Sequence, residues 1–269
     1  MNLIQLENAI RDLIQNNKHN FSISIHTQEG NISINAAKQR KAASLAKISI
    51  LLEAYRQIEN NKLSLETPIY INKSAMVGGS GVLNYLTNSH VHSLQNLLEL
   101  MIIVSDNTAS NLLLEHVGME NINKLTEKTG CKQTIIKRKF MDLQAQMVGF
   151  ENYTSSQDIA TLLKIISKNN VYLSDKSRHQ MLEILSNQQF KDKLAAYLTD
   201  DDKIEIYHKS GELQGIEHDA AIFKYHENTI EVAVLSEGWI NNGEGKKYIA
   251  AIGKLLITYL KAGSREGKG

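Results

Sequence analysis

Apolar and polar residues recur along the chain with two different periods. Near the N-terminus the apolar residues have the spacing of a helix that buries one face: Leu3, Leu6, Ile10, Leu13 and Ile14. The segments "FSISIHT" and "NISINA" then alternate around "QEG", which predicts a β-hairpin. From about Ala43 to Leu198 the pattern is mostly helical, and past "TDDDK" the period of two returns.

Three further strands are predicted over "KIEIYHK", "IEHDAAIFKY" and "TIEVAVLSEG", followed by a helix from about Gly245 to Leu260. An isolated hairpin is marginally stable, so we expect the N-terminal hairpin to join these strands. The predicted fold class is α+β with two lobes: an antiparallel five-stranded sheet flanked by the terminal helices, plus an all-helical lobe. Residues 1–38 and 203–269 would form the first lobe and residues 39–202 the second, with the active site in the cleft between them.

Composition and charge narrow the classes of partner. The 269 residues include 30 basic and 29 acidic side chains, a net charge of +1, without a long run of one sign. We therefore expect no nucleic-acid partner and no membrane-surface partner. No membrane segment is predicted, because no stretch reaches the ~18 apolar residues required. The first residues lack the features of a signal peptide, so we expect a soluble protein, cytoplasmic as written or secreted after removal of a leader.

Three short motifs are candidates to line the cleft: Ser44-Leu-Ala-Lys47, Ser105-Asp106-Asn107 and Lys209-Ser210-Gly211. Each is weak alone, but their placement is informative. The first begins a helix, the second interrupts an apolar helix, and the third ends a strand. Their order and these positions are unexpected by chance and point to one site.

The first motif places a lysine in an apolar stretch, where a buried ammonium must be paired or lose its proton. Ser44 is a weak nucleophile unless a neighbouring group accepts its proton. Lys47 lies one helical turn later on the same face, within reach of the Ser44 hydroxyl. It can act as a base only if burial and a second cation lower its pKa, and Lys209 is the candidate for that cation.

With these motifs the chain resembles the penicillin-recognising serine hydrolases, closest to the class A β-lactamases. The resemblance runs through "ASLAK", "LMIIVSDNTASNLLLEHVG", "NYTSSQDIATLL" and "HKSGELQG". It implies an active-site serine hydrolase that forms an acyl-enzyme on Ser44. The substrate would be a small molecule or peptide, namely a β-lactam or a D-amino-acid amide or ester. We expect no cofactor and no metal.

The resemblance also assigns roles to further residues. Ser105 would pass the proton to the leaving nitrogen, and Asn107 would orient the catalytic lysine and bind the substrate amide. The oxyanion hole would consist of two backbone N–H groups, that of the nucleophile and that of Glu212. Gly211 would let the substrate lie close to the strand, and Ser210 would bind the substrate carboxylate together with Lys209.

The loop between the second and third motifs departs from the family pattern. Class A enzymes carry a glutamate there, followed by leucine and asparagine, which activates the water for deacylation. Here the loop reads "RKFMDLQAQMVGFENYTSS", and Lys139 or a neighbour aligns with that glutamate. Asp142 is the candidate deacylation base, although a role in structuring the loop is favoured. Acylation should survive this change, whereas deacylation is in question.

Two other segments bear on substrate binding. The strand after the third motif lacks the arginine that lactamases often use for the substrate carboxylate; His218 and Asp219 occupy that neighbourhood. A structural pair between these two residues is the favoured interpretation. The segment "VGGSGVLNYL" is interpreted as a turn at the cleft, where Ser80 could contact substrate.

Several functions remain open from the sequence alone. The leading one is a class A-like β-lactamase, weak because the deacylating glutamate is missing. A D-amino-acid peptidase or esterase of the same fold, and a covalent β-lactam receptor without turnover, are the alternatives. A binding module without chemistry is least favoured, because all three motifs keep their reactive side chains.

Overall fold

The computed structural model describes residues 1–87 and 90–266. Its α-helices are α1 (Leu3–Ile14), α2 (Ala46–Glu59), α3 (Leu94–Ile103), α4 (Asn107–Val117), α5 (Met119–Lys128), α6 (Leu143–Met147), α7 (Ser156–Ser167), α8 (Asp175–Ser186) and α9 (Glu244–Glu266). Its strands are β1 (Phe21–His26), β2 (Asn31–Ile34), β3 (Arg40–Lys41), β4 (Pro68–Tyr70), β5 (Val91–Ser93), β6 (Tyr153–Thr154), β7 (Glu205–Leu213), β8 (Ile216–Tyr225) and β9 (Asn228–Glu237). Across these two ranges, no helix is both long enough and apolar enough to cross a membrane.

One five-stranded sheet joins the two ends of the chain, in the order β2-β1-β9-β8-β7. Every neighbouring pair is antiparallel, and β1 pairs with β9 from Phe21 opposite Ser236 to His26 opposite Glu231. The predicted antiparallel sheet and the α+β fold class are thereby confirmed. The third motif lies on β7, at the edge of this sheet.

The sheet is buried on both faces, because its alternating side chains enter two different hydrophobic clusters. On β8, Ala220 and Ile222 pack with the helical segment of the chain, whereas Ala221 and Phe223 pack with α1 and α9. The helical cluster includes α2, α3, α4, α7 and α8. Helix α9 continues to Glu266, six residues beyond the predicted end at Leu260. The two-lobe boundaries at 38/39 and 202/203 stay a prediction.

Side-chain caps fix where the central helices begin. Ser93 accepts a hydrogen bond from the backbone of Asn96 at the start of α3, and Ser155 accepts one from Asp158 at the start of α7. Asp106 caps α4 in the same way. The chain therefore breaks between α3 and α4 at the second motif, as the sequence predicted.

Candidate active site

Ser44 lies in a short 3₁₀ turn, Ala43–Leu45, directly before α2. Ala43 has φ 46°, in the left-handed region that non-glycine residues rarely adopt. The turn packs against the edge of the sheet at Gly211. A Cβ atom there would lie 3.2 Å from the backbone nitrogen of Ser44 and 3.3 Å from the Cβ atom of Ala43. Glycine therefore allows the close approach of β7 to the nucleophile turn.

Lys47 is completely buried at the start of α2. Its Nζ donates to the carbonyl oxygen of Ser105 at 2.7 Å, to the hydroxyl of Ser105 at 3.1 Å and to Oδ1 of Asn107 at 3.0 Å. Lys209 is also buried, and its Nζ donates to the Ser105 hydroxyl at 3.1 Å and to the Ser210 carbonyl at 2.8 Å. Two lysine ammonium groups thus share one serine hydroxyl as acceptor.

The Ser105 hydroxyl in turn donates to Oγ of Ser44 at 3.0 Å. The three motifs therefore meet at one oxygen atom, Oγ of Ser105. The Ser105 hydroxyl thus stands between Lys47 and Ser44, and the hydrogen bonds of Lys47 go to Ser105 and Asn107. Ser105 has φ 57°, a left-handed conformation in which its carbonyl accepts from Lys47 and its hydroxyl accepts from both lysines.

Asp106 holds this turn in place through backbone contacts. One carboxylate oxygen accepts from the N–H groups of Val82 at 2.7 Å and Leu83 at 2.9 Å, and the other accepts from Ala109 at 2.9 Å. Gly81 packs so closely that a Cβ atom on it would overlap the Asp106 side chain. The carboxylate therefore ties α4 to the loop that carries Ser80, rather than facing the cleft.

The site lowers the basicity of both lysines. Burial, and then the charge of Lys209, hold the pKa of Lys47 well below its ordinary value of 10.5. Burial lowers the pKa of Lys209 to about 7, and Lys193 adds to the effect, whereas Asp219 opposes it. Both buried amines therefore lose their proton at a lower pH than an ordinary lysine does.

Ser44 lines two cavities. One, of about 270 Å³, is also lined by Asn107 and by residues of α6 and the segments before and after it: Arg138, Phe140, Met141, Leu143, Gln146, Glu151 and Asn152. The other, of about 210 Å³, is lined by Ser105, Ser210 and Gly211. Ser44, Ser80 and Glu212 border both cavities. The arrangement brings every predicted site residue except Asp142 to the walls of these cavities or to the lysine network behind them.

Asp142 is placed elsewhere. Its carboxylate caps α6 by accepting from the backbone of Ala145 at 2.9 Å, and it lines a separate cavity with Asn111 and Glu115. Lys139, which the sequence aligned with the missing glutamate, forms an ion pair with Glu115. Phe140 from this loop contacts the lysine network: its ring centroid lies 4.6 Å from Nζ of Lys47.

Glu151 is a cavity residue that the sequence analysis did not single out. Its carboxylate is largely buried and forms an ion pair with Arg138 at 2.7 Å. It also accepts from the backbone of Asn152 at 2.8 Å and from the side chain of Gln146 at 3.1 Å. The two carboxylate oxygens of Glu151 therefore tie the segment after α6 to the segment before it and to α6 itself. A pair of opposite charges 13 residues apart was the only available signal in the sequence.

Lys193 is a second residue that the sequence did not reveal. It is buried beside β7, where its Nζ donates to the Gly211 carbonyl at 3.2 Å and lies 2.8 Å from the Glu212 carboxylate. Lys246 approaches the same carboxylate oxygen at 3.5 Å. A cation thus lies behind the third motif, although the strand after that motif carries no arginine. Nothing in the pattern around "FKDKLAA" predicted it.

The favoured pair between His218 and Asp219 was wrong. Asp219 pairs instead with His208, at 3.2 Å from Nδ1, and accepts from the backbone of Leu194 at 3.0 Å. His218 contacts the Lys41 carbonyl through Nε2 and accepts from the backbone of Ser236 at Nδ1. Burial lowers the pKa of His218 to about 4, so it is a neutral structural residue at neutral pH.

No three His, Cys, Asp or Glu side chains within residues 1–87 and 90–266 are grouped as metal ligands would be. The polar groups closest to Ser44 are instead the hydroxyl of Ser105, the amines of Lys47 and Lys209 behind it, and the amide of Asn107. These groups can supply a nucleophile, a proton relay and hydrogen-bond donors for a carbonyl substrate.

Comparisons with solved structures concern the fold. A β-lactamase from Sphaerobacter thermophilus is 24% identical, with a TM-score of 0.88 over 97% of this chain and 99% of that one. PBP-A is 22% identical, with a TM-score of 0.85 over 97% of both chains. A PBP-A mutant described as an acyl-enzyme complex with penicillin G has the same identity and coverage and a TM-score of 0.86. These likenesses establish the fold.

The family follows from a sequence model rather than from these structures. The model of the β-lactamase enzyme family matches residues 5–260, which include all three motifs and both walls of the cleft. The chain belongs to the β-lactamase enzyme family.

Proposed function

We propose that this protein is an active-site serine hydrolase that β-lactams acylate on Ser44 and that releases the acyl group slowly. The observation that carries the proposal is the Ser105 hydroxyl, which joins the nucleophile to two lysines of lowered pKa. A hydroxyl both donates and accepts hydrogen bonds, so it can relay a proton between them.

Acylation proceeds as an addition followed by an elimination. Oγ of Ser44 attacks the carbonyl carbon, and its proton moves through Ser105 to an unprotonated lysine amine, for which Lys47 is the leading candidate. The carbonyl oxygen becomes an oxyanion bound by the backbone N–H groups of Ser44 and Glu212. When the carbon–nitrogen bond breaks, the proton returns through Ser105 to the leaving nitrogen. The product is an ester on Ser44; in a β-lactam the new amine stays attached to the acyl group, because the broken bond belongs to the ring.

The remaining cleft residues would bind and orient the substrate. Asn107 accepts from Lys47 through Oδ1, and its Nδ2 donates to the Gly78 carbonyl at 3.1 Å, so its amide stands at the cavity wall beside the nucleophile. Lys209 and Ser210 would bind a carboxylate. Ser80 borders both cavities and would contact the substrate between them.

Slow release follows from the loop that faces Lys47. The ring of Phe140 lies beside the lysine amine, at 4.6 Å from its Nζ. A phenyl ring cannot accept a proton. The carboxylate of Glu151 is engaged by three donors, and that of Asp142 caps α6. None of these three side chains offers a free base to the acyl-enzyme.

Intact-mass measurement after mixing with penicillin G tests the proposal. We expect a mass increase equal to one penicillin that persists while free drug falls little. Ser44→Ala should show no adduct, and Ser186→Ala, an exposed serine on α8, serves as the matched control. Adduct formation by Ser44→Ala, or no adduct in any variant, would contradict the assignment.

A D-amino-acid peptidase or esterase of the same fold is the second candidate. The presence of Phe140 in place of a base favours this function. A natural acyl group could leave Ser44 by a different route, one that a bound penicillin blocks. Turnover of a D-Ala-D-Ala peptide or a small ester, together with a lasting penicillin adduct, would select this function. Steady penicillin loss without a lasting adduct would select an efficient β-lactamase instead.

A further inference from the structure

The loop around α6 exposes five large apolar side chains beside the cleft. We call them the apolar rim: Met141, Leu143, Met147, Val148 and Phe150, with exposed fractions of 44, 62, 87, 73 and 50%. All five lie within ten residues of sequence, "MDLQAQMVGF". Single exposed apolar residues are ordinary, but a group of them close together is typical of a surface that binds a ligand, a membrane or another protein.

The exposure of the rim is built into an ordered loop. The side chain of Asn111 accepts from the backbone N–H of Phe140 at 2.8 Å and donates to the carbonyl of Phe140 at 3.0 Å. Asp142 caps α6, and the backbone N–H of Phe150 donates to Ala145 at 3.0 Å. Met141 has φ 60°, and its side chain packs against Gly79. Its Sδ atom lies 3.1 Å from the position that a Cβ atom on Gly79 would take. The rim is therefore a fixed surface.

The rim continues the wall of the larger cavity at Ser44. Met141 and Leu143 line that cavity together with Phe140, and Leu213 lines the opposite wall. Met147 lies four residues after Leu143 on α6, so the two side chains are neighbours on one helix face. Met141 and Leu143 thus belong both to the wall of the cavity at Ser44 and to the exposed apolar rim.

Charge along this surface is low. From Leu143 to Phe150 the sequence contains no acidic and no basic residue. The polar side chain of Gln146 is turned to Glu151. The charged groups of the loop are likewise engaged: Arg138 with Glu151, Lys139 with Glu115, and the Asp142 carboxylate with the backbone of Ala145. An uncharged, extended ligand fits this surface better than an ionic one.

We propose that the acyl part of the natural substrate carries an extended apolar chain, which runs from Ser44 through the cavity and along the apolar rim. The inference rests on the proposed acylation of Ser44. The cavity of about 270 Å³ accommodates the first part of such a chain, and the rim covers the part that extends beyond it. Burial of each methylene against the rim adds affinity that a short acyl group lacks.

A series of p-nitrophenyl esters, from acetate through butyrate, hexanoate and octanoate to decanoate, tests the chain directly. Each is used below its critical micelle concentration, and acylation is followed by the burst of nitrophenolate. We expect kcat/KM for acylation to rise about two- to fourfold per methylene, the range for partial to full burial of a CH₂ group. Leu143→Ser and Met147→Ser should flatten this rise for the longer esters. Val171→Ser and Ile4→Ser, exposed apolar residues outside the cavity and rim, should not.

Each outcome decides between occupants. A flat series in the natural protein, with Ser44 still acylated by the esters, would overturn the inference and leave the proposed function intact. No acylation of Ser44 by any ester or by penicillin G would overturn the proposed function itself. Two control measurements address other occupants of the rim. If the ester series is flat, sedimentation with phosphatidylglycerol vesicles that Met147→Ser abolishes would assign the rim to a membrane surface. A dimer that the same variant dissociates would assign it to a second copy of the chain.

Discussion

At the scale of single residues, the active site depends on one hydroxyl. Oγ of Ser105 accepts from Lys47 and Lys209 and donates to Ser44, at distances of 3.0 to 3.1 Å. Two ammonium groups so close to each other repel, and both are buried. Burial lowers the pKa values of both lysine amines, and for Lys47 the charge of Lys209 adds to this effect.

The pH profile of acylation should depend on the charge of the substrate. With an uncharged ester, the acylation rate should rise with pH as the lysine amines lose their protons. With penicillin, whose carboxylate needs the Lys209 cation, the rate should fall again above about 7, the pKa of that lysine. Stopped-flow acylation from pH 5.5 to 9 measures both profiles. In Lys209→Arg the falling limb should disappear, because arginine keeps its charge. Identical profiles for the two substrates would contradict this assignment.

A base placed at Phe140 should speed release of the acyl group. Phe140→Glu puts a carboxylate where the ring lies 4.6 Å from Nζ of Lys47, within reach of a water next to the ester. We expect the penicillin adduct to decay roughly 100-fold faster or more, the usual effect of a general base. Phe140→Gln has the same size without the base and should not show this acceleration. Intact mass against time gives both rates, and equal decay in the two variants would exclude the explanation.

At the scale of elements, the two aspartates that cap helices, Asp106 and Asp142, differ in how much they contribute to stability. Asp106 is buried and accepts three backbone N–H groups from two segments. Asp142 is half-buried and accepts one, at the start of the five-residue helix α6. The first cap therefore ties α4 to the cleft loop, whereas the second fixes only a local turn.

Asp106→Asn should lower the free energy of unfolding by about 2–3 kcal/mol, because an amide leaves buried N–H groups without an acceptor. Asp142→Asn should cost about 1 kcal/mol or less, since the cap is more exposed and asparagine is itself a good cap. Urea unfolding measures both. The penicillin adduct of Asp142→Asn should persist as long as that of the natural protein; a longer lifetime would instead identify Asp142 as the deacylation base.

At the scale of the whole molecule, the active-site lysines reduce stability. Lys209 has a pKa of about 7 in the folded protein, below its ordinary value of 10.5. Below pH 7 both folded and unfolded states are protonated, and the folded state bears the full cost of the buried charge. As the pH rises above 7, the folded state loses this proton while the unfolded state keeps it, so stability increases.

The unfolding free energy should therefore rise between pH 7 and 8.5, with a contribution from Lys209 of up to ~1.4 kcal/mol per pH unit. Lys209→Met removes this contribution and should show a smaller slope and a higher stability at pH 7. Urea unfolding at four pH values measures both quantities. An equal slope in the variant would show that Lys209 keeps its proton throughout this range.

Much of the architecture could be predicted from the sequence, because its causes are local. Alternation with a period of two identified the five strands of the sheet, and cap residues such as Ser93 and Ser155 marked where helices begin. The three motifs also predicted which chemistry would meet in the cleft. In each case the signal lies within a few residues, where backbone geometry alone sets which side chains share a face.

Only the tertiary structure decided which side chains face one another. His218 and Asp219 are adjacent in sequence, but successive residues of a strand point to opposite faces, so Asp219 pairs with His208 across the sheet. Phe140 faces Lys47 because Asn111, 29 residues away, holds its backbone. Lys193 reaches the third motif from a separate segment. The sequence by itself thus determined the sheet, the helix starts and the reactive groups. Contacts between distant segments decided the surroundings of those groups, because such contacts produce no periodic pattern and no fixed spacing in the sequence.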